Sequence, residues 1–209
     1  MSPSKELPDY VLGSDDLQRC WWCGDDHQYV AYHDREWGTP VADDQQLYEK
    51  MCLEGFQAGL SWITILRKRA AFRSAFDDFE IETVAGFSSV RVEKLMLDKK
   101  IVRHRGKIES AINNAQRAIE LQDEFGSLAH FFWQFEPDVP RYLDHRSDME
   151  AYRPESTSLS KELKKRGWSF VGPTTCYSLM QAMGMVNDHL RECHQWKVIE
   201  RLRSEFTRP

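Results

Sequence analysis

Residues 164–175 read KKRGWSFVGPTT and predict two helices joined by a short, glycine-bounded hairpin. Three cationic residues before Gly167 are typical of the last turn of a helix, and Gly172-Pro173 is typical of a turn into the next one. The first amides of that second helix have no partner within the helix, so a phosphate could bind there. Glycine-bounded turns between helices are common, and this stretch alone is therefore weak evidence for a DNA-binding hairpin.

Helical patterns continue on the N-terminal side of this hairpin. Apolar residues from Ile108 onward recur at helical spacing and stop near Gly126, a typical helix end. Asp43 or Asp44 could cap an earlier helix, and the serine pair at residues 88–89 could cap another. Because few stretches alternate with period two, the sequence predicts an all-α fold.

The predicted organisation is one helical domain over residues 19–196, or two lobes with the active site between them. Residues 1–18 form a variable N-terminal extension, and residues 197–209 form a C-terminal tail. Residues 136–158 combine prolines with many charges, which is typical of a loop or a lobe boundary. There is no internal repeat.

Composition narrows the function class. A hydrophobic content of 41% over 209 residues is enough for a sizeable core. No apolar run has the length of a membrane span, and the N-terminus lacks a signal-peptide pattern, so we expect a soluble, cytoplasmic protein with no membrane partner.

The net charge of −5 argues against a protein that coats nucleic acid, but not against a small DNA footprint. Five cysteines, an odd number, favour metal ligation or simple burial over a disulfide framework.

Two groups of possible metal ligands lie at opposite ends of the chain. His189 and Cys193 are four residues apart, so on the predicted C-terminal helix they project from the same face. The N-terminal group comprises Cys20, Cys23, His27 and His33. Spacing leaves open whether the Cys20–Cys23 pair or Cys20 with His33 would complete a tetrahedral zinc site, and a buried thiol with a core histidine is the alternative.

Aromatic residues are dense between Trp21 and Trp62, and they surround the carboxylate of Glu54. Such walls would suit a flat apolar ligand, although aromatic rows are more often core and a helical Glu is more often solvated. Glu54 lies among apolar neighbours, where an unpaired carboxylate would be costly, so we expect it to have a partner. The aromatic set comprises Trp21, Trp22, Tyr29, Tyr32, Trp37, Tyr48, Phe56 and Trp62.

Four stretches in the same order closely resemble the 3-methyladenine DNA glycosylase I family. The resemblance spans residues 19–193. The stretches are residues 29–38 (YVAYHDREWG), residues 52–62 (CLEG followed by QAGLSW), residues 102–108 (VRHRGKI), and residues 170–189, which begin FVG and end VNDH.

The resemblance implies an all-α, helix-hairpin-helix DNA glycosylase fold with a family-specific zinc site. It selects Cys20, His33, His189 and Cys193 as the ligands, and leaves Cys23 without a role. Four protein ligands close the coordination shell, so one structural zinc per chain is expected, with no activated water. This zinc would join the N-terminal and C-terminal segments.

The same resemblance implies the activity, which is excision of 3-methyladenine from alkylated DNA after the nucleotide is flipped out. The base in DNA is cationic, so a carboxylate and electron-rich aromatic faces attract it more than they attract neutral adenine. Glu54 and Tyr32 take the catalytic positions. The substrate-binding set implied is Trp22, Tyr29, Tyr32, Glu54 and Trp62.

Related helix-hairpin-helix glycosylases usually carry an aspartate in a Val-Asp-x-His context. Here Asn187 takes that place, and Asp188 is one residue away, pointing about 100° elsewhere if a helix has begun. We therefore expect no carboxylate opposite the forming oxocarbenium sugar. Alkylation already makes the base a good leaving group, so positioning and pocket binding would supply much of the barrier reduction, and the substrate range should be narrow.

The expected partner is double-stranded alkylated DNA, bound by a monomer without an organic cofactor. Leu60, beside Gly59, is the candidate wedge that fills the gap left in the base stack by the flipped nucleotide, with a core leucine as the alternative.

Because the pocket motifs contain no lysine, the enzyme should hydrolyse the glycosidic bond without cutting the DNA backbone, leaving an abasic site. The predicted phosphate contacts are Lys165, Arg166, Gly172, Thr174 and Thr175.

Two other functions compete with this one. A non-catalytic, zinc-stabilised nucleic-acid-binding module would share the hairpin and the metal, but it gives no reason for Glu54 in an aromatic pocket. A redox protein using Cys20-Trp21-Trp22-Cys23 would need a βαβ setting, which the pattern lacks. Base release from methylated DNA distinguishes the glycosylase from both.

Overall fold

The computed structural model describes residues 8–209, so residues 1–7 of the predicted N-terminal extension lie outside the described residues. Within residues 8–209 the chain forms ten α-helices and one two-stranded antiparallel hairpin. The strands are β1 (Tyr10–Leu12) and β2 (Gln18–Cys20). The helices are α1 (His27–Arg35), α2 (Asp44–Gln57), α3 (Trp62–Ala75), α4 (Ile81–Ala85), α5 (Ser89–Leu97), α6 (Arg105–Phe125), α7 (Leu128–Trp133), α8 (Pro154–Lys165), α9 (Pro173–Ala182) and α10 (Trp196–Glu205).

The predicted helix ends are confirmed where a local capping signal defines them. Asp43 accepts a hydrogen bond from the backbone of Gln46 at the start of α2 (2.8 Å), and Ser88 caps α5. Gly126 ends α6 with a left-handed φ of 85°. Gly172 precedes α9, whose first residue is proline, as the hairpin sequence predicts.

The fold is mostly helical, as predicted, and differs from the expectation at several places. The β1–β2 hairpin is additional, because strands of three residues are too short to show a period. Residues 154–158, predicted as loop, are the first turn and more of α8, with Pro154 at its start. The predicted helix carrying His189 and Cys193 is wrong, because residues 184–195 form a series of turns and α10 begins only at Trp196.

Helix α2 lies in the centre of the molecule. Residues 47–56 are all buried, and α2 contacts α3, α6, α7 and α9. Three of these buried residues, Glu49, Lys50 and Glu54, have side chains that are normally charged in water at neutral pH. Charged groups at buried positions require partners, and buried charged groups are often part of a functional site. The middle of α2 is therefore a candidate for the functional site.

The segment beyond residue 196, predicted as a tail, is largely α10 in the structure. Ile199 is buried, and the Arg203 guanidinium donates hydrogen bonds to the carbonyls of Gly184 (2.9 Å) and Met185 (3.0 Å). Helix α10 therefore holds the turns that carry His189 and Cys193. Among residues 8–209, no helix combines the length and the apolar character that crossing a bilayer requires.

Candidate active site

An aromatic cavity of about 170 Å³ lies between α1, α2 and the start of α3. All five residues of the predicted substrate-binding set line it. Tyr48 and Phe56, also counted among the aromatic residues around Glu54, are instead fully buried core residues. The lining comprises Trp21, Trp22, Tyr29, Tyr32, Trp37, Glu54, Gln57, Trp62, Met149, Ser178 and Gln181.

Three short segments supply the aromatic walls. Tyr29 and Tyr32 lie three residues apart on α1 and so share a face. Trp22 packs against Tyr29 with ring centroids 5.2 Å apart, and Trp62, the first residue of α3, packs against Tyr32 at 5.4 Å. The indole N–H of Trp62 is buried and has no hydrogen-bond partner among the described residues. An unpaired buried donor is expected to find its acceptor in a ligand or water.

Glu54 has the partner that its buried position requires. The Lys50 Nζ lies 2.9 Å from the Glu54 Oε1, one helical turn earlier on α2. The same Nζ donates a hydrogen bond to the Tyr32 hydroxyl (2.6 Å) and lies 3.6 Å from the ring centroid of Trp62. Sequence reasoning missed Lys50, although the spacing of Lys50 and Glu54 on one helix was a usable signal.

Burial governs the protonation of this group. It raises the pKa of Glu54 and lowers the pKa of Lys50, and the attraction between the two opposes both shifts. Burial also raises the pKa of Tyr32 well above its ordinary value, so its hydroxyl stays neutral and accepts from Lys50. The Glu54 carboxylate, the Tyr32 hydroxyl and the Trp62 ring favour the ammonium form of Lys50, and this ammonium favours the carboxylate form of Glu54.

Neither Asn187 nor Asp188 lines the cavity. The Asn187 amide donates to the Trp196 carbonyl (3.1 Å) and to the Glu200 carboxylate (2.8 Å) at the start of α10. Asp188 is buried and accepts hydrogen bonds from the Tyr177 hydroxyl (2.6 Å) and from Gln181. Both side chains therefore stabilise the turns before α10, and no helix has begun at either residue.

Two exposed turns lie at one end of α2. In the first, Gly59 has a φ of 79° and Leu60 is 42% exposed. In the second, Phe170 has a φ of 55°, unusual for a residue with a side chain, and it packs close to Gly55 of α2. Phe170 was not among the predicted contact residues, and no sequence signal distinguished it from core.

One face of α6 contacts both turns. The Lys107 Nζ donates to the carbonyls of Phe56 (2.9 Å) and Ala58 (2.5 Å), which end α2. Seven residues later, Asn114 exchanges two hydrogen bonds with the backbone of Ser169, each 2.9 Å long. Helix α6 thus fixes the distance between the two turns.

The predicted phosphate contacts divide into two groups. Among residues 8–209, no side chain caps the start of α9, so the amides of Thr174 and Thr175 have no side-chain acceptor there, and Lys165 is exposed. Arg166 instead pairs with Glu124 and Glu162. This arrangement gives Arg166 a role in joining α8 to α6.

A second cluster joins the two ends of the chain. Four buried side chains, Cys20, His33, His189 and Cys193, have ligand atoms within 4.8 Å of one another. The Cys193 Sγ lies 3.5 Å from His33 Nε2 and 3.6 Å from His189 Nδ1, and the Cys20 Sγ lies 3.7 Å from His189 Nδ1. Tetrahedral zinc with Zn–S and Zn–N bonds of about 2.3 and 2.0 Å would separate its ligands by about 3.3–3.8 Å. These donors therefore fit a tetrahedral metal.

The other ring nitrogen of each histidine also has an acceptor. His33 Nδ1 lies 2.8 Å from the Asp34 carboxylate, and His189 Nε2 lies 3.1 Å from the Trp37 carbonyl. Such contacts set the tautomer of a metal-binding histidine. Cys23, although buried nearby, has its thiol directed to the Cys20 carbonyl (3.2 Å) and is outside the group of four.

Comparisons with known proteins agree on one family. The methyladenine glycosylase family profile matches residues 22–196. DNA-3-methyladenine glycosylase 1 of Escherichia coli (strain K12) is 45% identical over 179 residues, which cover 85% of this chain and 96% of that protein. A crystal structure of 3-methyladenine DNA glycosylase I superposes with a TM-score of 0.82 at 45% identity, covering 85% of this chain and 98% of that one. A variant of 3-methyladenine DNA glycosylase I, solved in complex with 3-methyladenine, has a TM-score of 0.80 at 37% identity, covering 83% of this chain and 94% of that one.

Proposed function

Because the chain belongs to the methyladenine glycosylase family, we propose that it excises 3-methyladenine from alkylated DNA. The observation that carries this function is Glu54, a carboxylate buried among aromatic walls. A nucleic-acid-binding module has no use for such a group. A flipped, cationic purine does, because the carboxylate can accept hydrogen bonds from its amino edge while Trp62 and the tyrosines surround its plane.

The chain's own residues would bind, orient and shield the base. The C1′–N9 bond breaks, its electron pair goes to the base, and water adds to C1′ of the sugar and loses a proton. None of the pocket residues has to supply a nucleophile, since alkylation already makes the base a good leaving group. Exclusion of water by the aromatic walls strengthens the polar contacts that hold the base in place.

The enzyme is monofunctional in this proposal, but for a different reason from the sequence argument. The absence of lysine from the pocket motifs is a misleading criterion, because folding places Lys50 beside Glu54. Lys50 does not line the base cavity, and its ammonium is held by Glu54, Tyr32 and Trp62. An amine in this state is not a free nucleophile.

The purified protein is therefore expected to release 3-methyladenine from methylated duplex DNA and to leave the backbone intact. The measurement is chromatography of the released base, with alkali-dependent strand cleavage to reveal abasic sites. Binding without release would instead support the non-catalytic module, and a covalent DNA adduct trapped by borohydride would contradict the monofunctional mechanism.

We propose that the exposed turns around Leu60 and Phe170 form the DNA face, as in a helix-hairpin-helix arrangement of α8 and α9. The amides of Thr174 and Thr175 and the exposed Lys165 would contact phosphates. Leu60 would fill the gap that the flipped nucleotide leaves in double-stranded DNA.

Leu60→Ala is expected to lower excision from duplex DNA by about ten- to a hundredfold, because burying a leucine side chain is worth about 1.5–3 kcal/mol. Binding of free 3-methyladenine and the melting temperature should be unchanged, since Leu60 is exposed and does not line the cavity. Single-turnover kinetics would measure the effect, with Leu12→Ala as the control because Leu12 is exposed on β1. Equal rates for the two variants would remove Leu60 from the DNA face.

We propose that the metal held by Cys20, His33, His189 and Cys193 is zinc. Two thiolates and two imidazoles form a common structural zinc set, and the described ligand atoms have spacings suited to a tetrahedron. When bound, the ion would supply no chemistry to the reaction, because protein ligands fill all four positions. It would tie the segment carrying Trp22, Tyr29 and Tyr32 to the turns before α10.

A further inference from the structure

Lys50 presents an electrostatic problem for a pocket that binds a cation. Its ammonium lies 2.9 Å from Glu54, 2.6 Å from the Tyr32 hydroxyl and 3.6 Å from the Trp62 ring centroid, so it uses three of the groups that should attract the base. A pocket that only had to bind a cationic purine tightly would keep these three groups available to the purine. The lysine therefore needs a role of its own.

The position of Lys50 relative to the base cavity is defined by two neighbouring cavities. Tyr32 and Trp62 line both, whereas Glu54 lines only the base cavity and Lys50 only the second, smaller one. Lys50 is thus separated from the bound base by the aromatic wall and the carboxylate. Any effect of Lys50 on a base in the first cavity would therefore pass through Glu54 and Trp62.

The other charges around Lys50 are already paired. Arg69 and Glu36 form an ion pair (2.9 Å), and Arg73 pairs with Glu49 (2.7 Å). Among the described residues lining the two cavities, Lys50 and Glu54 therefore form one further neutral pair. The pocket offers the base an oriented carboxylate with little net negative charge.

We propose that Lys50 is a positioning residue that balances the charge of Glu54. As a result, the pocket binds the released, neutral base more favourably than the cationic base that is still attached to the sugar. This inference rests on the proposed function. In the bound nucleotide the purine carries a positive charge, which the ammonium opposes. Glu54 keeps the same hydrogen-bonding geometry toward the attached base and toward the released base.

The reaction itself moves the charge away from Lys50. When the C1′–N9 bond breaks, its electron pair neutralises the purine, and the positive charge appears on the sugar as an oxocarbenium ion. Water then adds to C1′ and loses a proton. Repulsion between Lys50 and the base falls along this path and offsets the attraction between Glu54 and the base, which weakens along the same path. The hydrogen bonds that Glu54 accepts from the base are kept, so the Lys50–Glu54 pair lowers the barrier relative to an unbalanced Glu54 carboxylate.

The test separates binding from chemistry in Lys50→Gln, which keeps a donor for Glu54, and Lys50→Met, which keeps only the length. Both are neutral, and both are expected to bind alkylated DNA about tenfold more tightly and to excise the base about tenfold more slowly in single turnovers. Affinity would be measured as KM and as Kd, with melting temperatures measured for both variants. A purely structural role would instead weaken binding and slow the reaction together.

A double variant keeps the inference testable if either single variant is unstable. In Glu54→Gln the ammonium is left unbalanced beside the cationic base, so adding Lys50→Met should restore DNA binding toward the wild-type value. Additive losses in the double variant, or weaker binding in Lys50→Gln, would overturn the role of Lys50. Absence of base release by the wild type would instead contradict the proposed function.

Discussion

Glu54→Gln is expected to reduce excision of 3-methyladenine by about ten- to a hundredfold, because a hydrogen bond to a charged group is worth about 1.5–3 kcal/mol. Gln has nearly the same size, so the packing of α2 should survive. The substitution removes the negative charge that faces the cationic base, and it leaves the Lys50 ammonium without its counter-ion (2.9 Å in the wild type). Both changes disfavour the flipped nucleotide.

The measurement is single-turnover release of 3-methyladenine, with melting temperature and metal content determined alongside. Glu49→Gln is a matched control, since Glu49 is another buried carboxylate of α2, pairs with Arg73, and lines only the second cavity. It should keep a rate near that of the wild type. If the Glu54 variant is equally active, Glu54 does not take part in base recognition.

Cys193→Ala is expected to abolish metal binding and to lower the melting temperature by about 8–16 °C, which corresponds to about 4 kcal/mol for a chain of this size. Cys193 is buried and its Sγ lies within 3.6 Å of both histidines of the cluster. Without the metal, the segment between Cys20 and His33 loses its attachment to the turns before α10. Excision should fall as well, because that segment carries Trp22, whose ring contacts Tyr29.

Elemental analysis and thermal unfolding would measure these effects. Cys23→Ala is the matched control, since Cys23 is equally buried but its thiol donates to the Cys20 carbonyl and is outside the group of four. Full metal content is expected in this variant. Metal retained by Cys193→Ala, or lost from Cys23→Ala, would show that the ligand set is wrong.

The cluster of Cys20, His33, His189 and Cys193 shows that side chains can lie together as predicted although the local structure that carries two of them was predicted wrongly. The spacing of His189 and Cys193 suggested neighbouring positions on a helix face, yet both lie in turns. Their ligand atoms still approach to 3.6 Å, because the Cys193 amide closes a turn on the Leu190 carbonyl (2.8 Å). A separation of four residues is compatible with either structure, so spacing alone could not distinguish them.

The sequence by itself determined the features that depend on neighbours along the chain. The helix caps at Asp43 and Ser88 and the helix end at Gly126 depend on contacts within a few residues. The four family stretches could be matched by their residue order alone. From these came the helical fold and the family. The pocket residues followed from the resemblance, not from the geometry of any one element.

Only the tertiary structure decided which side chains share a site. In the structure Tyr48 lies in the core, whereas Tyr32 lines the pocket. Arg166 pairs with Glu124. Lys50 lies between Glu54 and Trp62. These outcomes depend on contacts between elements distant in the chain and on which side of α2 each neighbour covers. Residue type and helical spacing restrict such contacts but do not specify them, because a buried helix has no solvent-facing side to reveal its orientation.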